Sequence, residues 1–163
     1  MRRFVIQKHQ ATSLHYDFRL EVDGVFVSWA VPKGPSPDPR DKRLAMEVED
    51  HELSWGKFEG VIGPGYGAGA VIVWDRGTWK HLGKGSAKDA IKKGHISFEL
   101  DGEKLKGGYS LRRIREGTKP QWLLVKKKDK EADARTDPVR SKPQSVLSGK
   151  TIEEIAEEEE EEA

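Results

Sequence analysis

The stretch Leu14-His15-Tyr16-Asp17-Phe18-Arg19-Leu20-Glu21-Val22-Asp23-Gly24-Val25 alternates apolar and polar side chains at period two. That period belongs to a strand, because successive side chains of an extended chain point to opposite faces. Leu14, Tyr16, Phe18, Leu20 and Val22 share one face; His15, Asp17, Arg19 and Glu21 share the other. Asp23-Gly24 follows at once, and such a pair tolerates the positive φ angles of a two-residue hairpin turn. Val25 to Val31 is therefore predicted to return antiparallel.

Working outward, the same period recurs from about Arg43 to His51. Leu44, Met46 and Val48 fall on one side there, and Arg43, Ala45, Glu47, Glu49 and His51 on the other. Four prolines between Pro32 and Pro39 break the ladder in between, since proline has no N–H to give. Gly60 to Gly69 holds five glycines and a proline and reads as a turn-rich loop, with Gly65 to Gly69 a candidate to cover a site. The apolar run Ala70 to Trp74 reads as a strand ended by a turn near Asp75-Arg76-Gly77. Ser86 with Asp89 three residues on, and Gly94 after the last turn, frame one helix. Further strands are expected at His95 to Leu100, Tyr109 to Ile114 and Gln121 to Lys127. The sum is a mainly β fold: a barrel-like antiparallel domain of about eight strands with one or two short helices.

The organisation follows from composition. Residues 1–128 form the body, 129–150 a linker or arm packing on it, and 151–163 a short helix with an acidic tail expected to be disordered. Thr151 and Glu154 make a capping box, while the glutamates at 157–162 repel one another and lack an apolar face. Of the five tryptophans, Trp29, Trp74, Trp79 and Trp122 are expected in the core, and Trp55 outside it.

Charge and cysteine content narrow the chemistry. There are 29 basic and 28 acidic side chains, but eight of the acids lie in the last eleven residues, so the rest is strongly basic and favours an anionic partner. The chain has no cysteine, which excludes disulfides, thiolate nucleophiles and zinc sites built on sulfur. The longest apolar run is Ala70 to Trp74, far short of the roughly 20 residues of a membrane span. Met1-Arg2-Arg3-Phe4 has no apolar segment behind it to make a secretory signal. A cytoplasmic location is the expectation.

The strongest constellation is His9-x5-His15-x-Asp17-x-Arg19, with Arg43 and His51 on a later strand. Residues two apart on a strand point the same way, about 6–7 Å apart, so His15 and Asp17 can reach one cation and His9 can complete the set. Two imidazoles and a carboxylate leave coordination positions open, which suits a catalytic divalent ion such as manganese or iron. Flanking Arg19, Arg43 and Lys33 then suit a phosphate. Two other readings stay open. His15, Asp17 and His51 also fit the triad of a non-heme iron oxygenase, and the basic face with exposed Trp55 fits a non-catalytic nucleic-acid-binding barrel. On the bland reading, Arg19, Glu21, Arg43 and Glu49 are cross-strand ion pairs.

The motifs Gln7-Lys8-His9, Leu14 to Glu21, Ser28-Trp29-Ala30-Val31-Pro32-Lys33-Gly34-Pro35, Val48-Glu49-Asp50-His51, Phe58-Glu59-Gly60, Tyr66-Gly67-Ala68-Gly69 and Trp74-Asp75-Arg76-Gly77 resemble the phosphoesterase domain of bacterial DNA ligase D. The likeness extends through Trp122 to Lys126 and Ser145 to Gly149. It implies a β-barrel enzyme, manganese-dependent, that removes a 3′-terminal ribonucleoside and then the 3′-phosphate from DNA, leaving a hydroxyl for repair and ligation. By the same resemblance His9, His15 and Asp17 are the metal ligands, and Arg19, Arg43 and His51 meet the scissile phosphate. Lys33 is a further phosphate contact, with Gln7 and Glu49 as secondary ones. Partners would be DNA 3′ ends carrying a ribonucleotide or phosphate, with a ligase, polymerase or end-binding protein acting in trans. Trp55 stands where the family usually has a tyrosine that touches phosphate, so weakened activity is expected. The chain also starts close to the first motif, which bears on the ribonucleoside-trimming step more than on phosphate removal.

Overall fold

The computed structural model describes residues 2–63 and 69–162 of the chain. Its strands are β1 (Arg2–Gln10), β2 (Leu14–Val22), β3 (Val25–Val31), β4 (Arg43–Glu52), β5 (Gly60–Ile62), β6 (Gly69–Leu82), β7 (His95–Gly102), β8 (Lys106–Arg115) and β9 (Gln121–Lys126). They form one antiparallel sheet in the order β1-β2-β3-β4-β9-β8-β7-β6-β5, and β1 also pairs with β6. That last pairing closes eight strands into a barrel and leaves β5 as an extra strand on β6. The part of the Gly60 to Gly69 loop at 64–68 lies outside the described residues.

The β2–β3 hairpin turns as its sequence demands. Asp23 and Gly24 take φ of 49° and 86°, and Val22 pairs with Val25. Register then carries Phe18 opposite Trp29 and Arg19 opposite Ser28. The inward set fills the barrel: Phe18, Trp29, Phe98 and Trp122 are at most 1% exposed, with Trp29 and Trp122 edge to face at 5.6 Å. Trp74 and Trp79 are buried too, and only Trp55 of the five is left partly open.

Helix α1 (Ala87–Lys93) is capped as expected: the Ser86 hydroxyl accepts from the Asp89 N–H, and Gly94 is left-handed. Besides it stand a 3₁₀ turn at Leu53–Lys57, α2 (Pro138–Ser141) and α3 (Ile152–Glu162). The first two are four or five residues long, too short for any periodic signal. In α3 the capping box forms, the Glu154 N–H donating to Thr151 and the Thr151 N–H to Glu154. Ile152 and Ile155 are buried against Ala70 and Ile72 of β6, and the backbone is helical through Glu162. Residues between β9 and α3 are tied to the barrel, with the Trp74 indole donating to the Lys142 carbonyl at 2.8 Å and the Val146 N–H to the Val73 carbonyl at 2.9 Å.

Two local expectations are corrected. The turn at Asp75-Arg76-Gly77 does not form: β6 runs straight through, with a bulge where Gln7 pairs with Val73 and Ile6 with Asp75. Asp75 is fully buried and accepts backbone N–H bonds of 2.9–3.0 Å from Arg76, Glu103, Lys104 and Leu105. Burial pushes its carboxyl pKa up, while those four donors pull it down. Its polarity, which reads as turn chemistry, serves instead to hold the β7–β8 turn.

The second correction concerns β4, whose polar residues do not share one face. Phe26 pairs with His51 but Ser28 with Val48, so two residues of β4 face one of β3. This bulge turns His51 to the side of Met46 and Val48, while Arg43 keeps the parity of Ala45, which is fully buried.

Replacing Asp75 by alanine removes the acceptor of four backbone N–H groups, of which the Leu105 N–H is buried and the Glu103 N–H keeps the Arg76 carbonyl at 3.3 Å. Each unmet donor costs about 1–3 kcal/mol, so, with partial relief from water, Asp75→Ala is expected to lose roughly 3 kcal/mol or more in urea unfolding.

Candidate active site

The site lies on the outer wall of the barrel, because the residues that build it have the parity opposite to the core. Gln7 pairs with Asp17 and His9 with His15, so four polar side chains of β1 and β2 stand together. The His9 and His15 rings are 4.9 Å apart. His15 Nε2 lies 3.3 Å from Asp17 Oδ1, and His9 Nδ1 lies 3.9 Å from Asp17 Oδ2. One ligand atom from each of the three falls within 4.8 Å of the others. The Ser13 carbonyl is 3.3 Å from His15 Nδ1 and accepts its proton, which leaves Nε2 as the inner donor atom. Two imidazoles and one carboxylate at this spacing fit a divalent first-row ion with positions left open.

Arg19 is 3% exposed and sits at the centre of the arrangement. Its Nε–H donates to Gln7 Oε1 at 2.7 Å and its Nη1–H to Ser28 Oγ at 2.9 Å. Nη2 is 3.5 Å from Asp17 Oδ2, and Nη1 is 3.0 Å from His51 Nδ1. Guanidinium can only donate, so His51 Nδ1 accepts and the ring carries its proton on Nε2. The Glu49 carbonyl, also 3.0 Å from Nδ1, would favour the opposite tautomer, but the charged donor makes the stronger bond.

These contacts set the charges. Burial opposes ionisation of Asp17, yet His15, Arg19 and His9 together hold its pKa below the ordinary value. The hydrogen bond to Asp17 raises that of His15. Burial, and then the Arg19 charge, lower that of His51, so this imidazole is neutral at neutral pH. Burial also lowers the Arg19 value, against Asp17, without discharging a guanidinium.

His9, His15, Asp17, Arg19, His51 and Trp55 line one cleft of about 550 Å³, with Glu49 also at its wall. Trp55 stacks on Phe58 at 4.5 Å and tilts toward His51. Gln7 is fully buried and engaged at both ends of its amide, donating to the Trp55 and Phe58 carbonyls. It holds the 3₁₀ turn against Arg19. Arg43 and Lys33 do not line the cleft: Arg43 lies 3.7 Å from Asp41, and Lys33 is exposed in the turn after β3. Two participants are given no role in the sequence reading. Ser28 was within its reach, because the two-residue turn at 23–24 already sets Arg19 opposite Ser28. Lys119, which enters the cleft from the β8–β9 loop, carries no local signal.

Residues 7–113 match the family described as the DNA Ligase D 3′-phosphoesterase domain. The chain belongs to this family. It is 54% identical over 154 residues to the multifunctional non-homologous end joining protein LigD of Pseudomonas aeruginosa, covering 92% of this chain and 18% of that protein. Identity to the multifunctional non-homologous end joining DNA repair protein LigD of Mycobacterium tuberculosis is 43% over 129 residues, or 78% of this chain and 16% of that one. For the Mycolicibacterium smegmatis LigD it is 39% over 134 residues, with 79% and 17% covered. The chain thus spans less than a fifth of the length of these relatives. The matched segment of this phosphoesterase-domain chain contains every residue of the cleft named above except Lys119. No helix among the described residues is long and apolar enough to cross a membrane.

The Arg19–His51 contact has a measurable signature. The His51 ring is expected to titrate below 6.5, its ordinary value, in a proton NMR titration. Arg19→Gln removes a positive neighbour and should raise that pKa toward 6.5, whereas a downward shift or none would mean the guanidinium does not face the ring.

Proposed function

We propose that the chain is a divalent-metal-dependent phosphoesterase of DNA 3′ ends, acting in end processing for repair and ligation. It removes a 3′-terminal ribonucleoside and then the remaining 3′-phosphate, leaving a 3′-hydroxyl. The observation that carries this reading is the single cleft in which His9, His15 and Asp17 adjoin the buried guanidinium of Arg19 and the His51 ring beside it. Family membership supports the reaction class, and the names of the relatives support the setting in end joining.

His9, His15 and Asp17 would hold the ion, proposed to be manganese. When bound, it supplies Lewis acidity to a phosphoryl oxygen. Arg19 stays charged at a fixed position, held by Gln7 and Ser28, and offers N–H donors to the oxygens on which charge builds. His51 presents Nε2–H, the end that Arg19 leaves available, to the departing oxygen. In the first reaction water adds to phosphorus and the bond to O5′ of the ribonucleoside breaks. In the second the bond to O3′ breaks, and in each the departing oxygen gains a proton. A DNA ligase, polymerase or end-binding protein would then take the hydroxyl end in trans.

The same geometry weighs against the oxygenase reading, which needs His51 beside Asp17. The guanidinium stands between them, touching both. It also weighs against a binding-only barrel, whose affinity would not need a ligand cluster at the base of the cleft.

Two primers, one ending in a 3′-phosphate and one in a ribonucleotide, are incubated with manganese, with chelator, and with Asp17→Ala. Both products should fall by about a thousandfold on chelation and in the variant; turnover that survives both would defeat the reading. Trp55 tests the finer contact. Indole has no hydroxyl to offer a phosphate, so Trp55→Tyr is expected to raise 3′-phosphate hydrolysis by roughly ten- to a hundredfold, the size of one hydrogen bond to a charged group.

A further inference from the structure

We propose that the cleft is electrically polar along its length, so that a bound strand leaves in one direction: over β4 toward the β8–β9 loop, where Lys119 holds the phosphate upstream of the reacting terminus. This rests on the reading of the cleft as a site for polynucleotide 3′ ends, and adds how the strand is oriented.

Two independent observations carry it. On one side, Lys119 is an exposed ammonium that lines the same cleft as the ligand cluster. It makes no ion pair among the described residues, unlike Arg113 on the neighbouring strand, which lies 3.3 Å from Glu116. Asp17 pairs with Ala30, Ala30 with Met46 and Met46 with Gln121 just after Lys119, so the cleft wall between Asp17 and Lys119 is an apolar strip that suits a sugar and base edge, with Glu49 farther along β4. Across this strip the next phosphate meets a free positive charge.

On the other side, α3 packs where β1 ends. Gln10, Val61 and Ala70 line a depression together with Glu153 and Glu159, on the face of the sheet opposite to His9 and Val71, so these carboxylates lie behind the end of the cleft. A strand leaving past the end of β1 would have to turn toward that acidic helix. Repulsion between exposed like charges extends over about 8–10 Å at ordinary salt, enough to disfavour that exit. The ligand cluster holds the terminus, and the two unlike ends fix where the polymer goes. Lys119 is thus a positioning residue: it touches the second phosphate and not the reacting one.

The test reads binding without turnover. A fluorescent single-stranded oligonucleotide with a 3′-phosphate is titrated by anisotropy in chelator, across a salt series. Lys119→Gln should weaken binding about three- to tenfold and reduce the slope of log affinity against log salt by about 0.7, the value of one single-strand phosphate contact. Lys119→Arg should restore both. Lys80→Gln, on the exposed side of β6, should change neither, and Glu153→Gln with Glu159→Gln should tighten binding about two- to threefold at low salt. Under turnover the Lys119→Gln effect should fall on KM, with kcat within about twofold.

Wild-type affinity and slope in Lys119→Gln would overturn the proposal, as would an equal loss in Lys80→Gln, which would mean diffuse attraction. Its failure is separable from that of the function itself. If the primers are hydrolysed normally and Lys119→Gln binds as wild type, only the orientation is wrong; if Asp17→Ala and chelator leave turnover intact, the reaction is.

Discussion

A guanidinium almost wholly removed from water is the constraint on which the rest of the site depends. Taking such a charge out of solvent costs several kcal/mol, and only good geometry with most of its donors engaged offsets it. Arg19 meets this with four partners from separate places in the chain: Gln7 on β1, Asp17 beside it on β2, Ser28 on β3 and His51 on β4. Four strands must therefore be in register before the charge is satisfied. Gln7 extends the requirement by bonding the 3₁₀ turn, so the wall that carries Trp55 is tied to the same centre. The cluster that would hold a cation is thereby fixed by a cation already present.

The barrel makes this possible by separating two populations of side chains. Closure through β1 and β6 encloses Phe18, Trp29, Trp74 and Trp122 and supplies the apolar burial that stabilises the chain. The outer faces of β1 to β4 are then free to carry polar groups, with the 3₁₀ turn lying over part of them. Burial of Asp17 and Arg19 is thus burial between an outer wall and a covering segment, where a cleft can remain open to a ligand. The bulge in β4 completes the site: without its extra residue His51 would share the parity of Ala45 and face the core.

Much of this was legible in the sequence, and the reasons are local. The β2 alternation, the Asp23-Gly24 turn and the Ser86–Gly94 frame depend on neighbours in the chain, and the strands and helix form where they indicate. His9, His15, Asp17 and Arg19 come together because strand pairing by one short turn and one tight loop admits few registers. What was not legible depends on distant partners. Asp75 looks like a turn residue until the connection between β7 and β8 brings it three N–H donors. The position of His51 depends on a bulge that no pattern within β4 announces, so alternation alone groups it with Arg43. Lys119 lies on a loop far along the chain and joins the cleft only because β9 pairs with β4.

Net charge illustrates the same limit. A formal charge of +1 suggests a protein indifferent to polyanions, yet the value is a cancellation between an acidic carboxyl-terminal segment and a basic remainder. In solution a ligand responds to the potential where it binds, which falls off within about a nanometre at physiological salt. The buried isoleucines of α3 keep its glutamates on the face of β6 opposite to the cleft, whereas Lys119 lines the cleft itself. Opposite charges that cancel in the total therefore do not cancel in the cleft. Composition measures their sum, whereas binding and orientation depend on their separation, which only the fold determines.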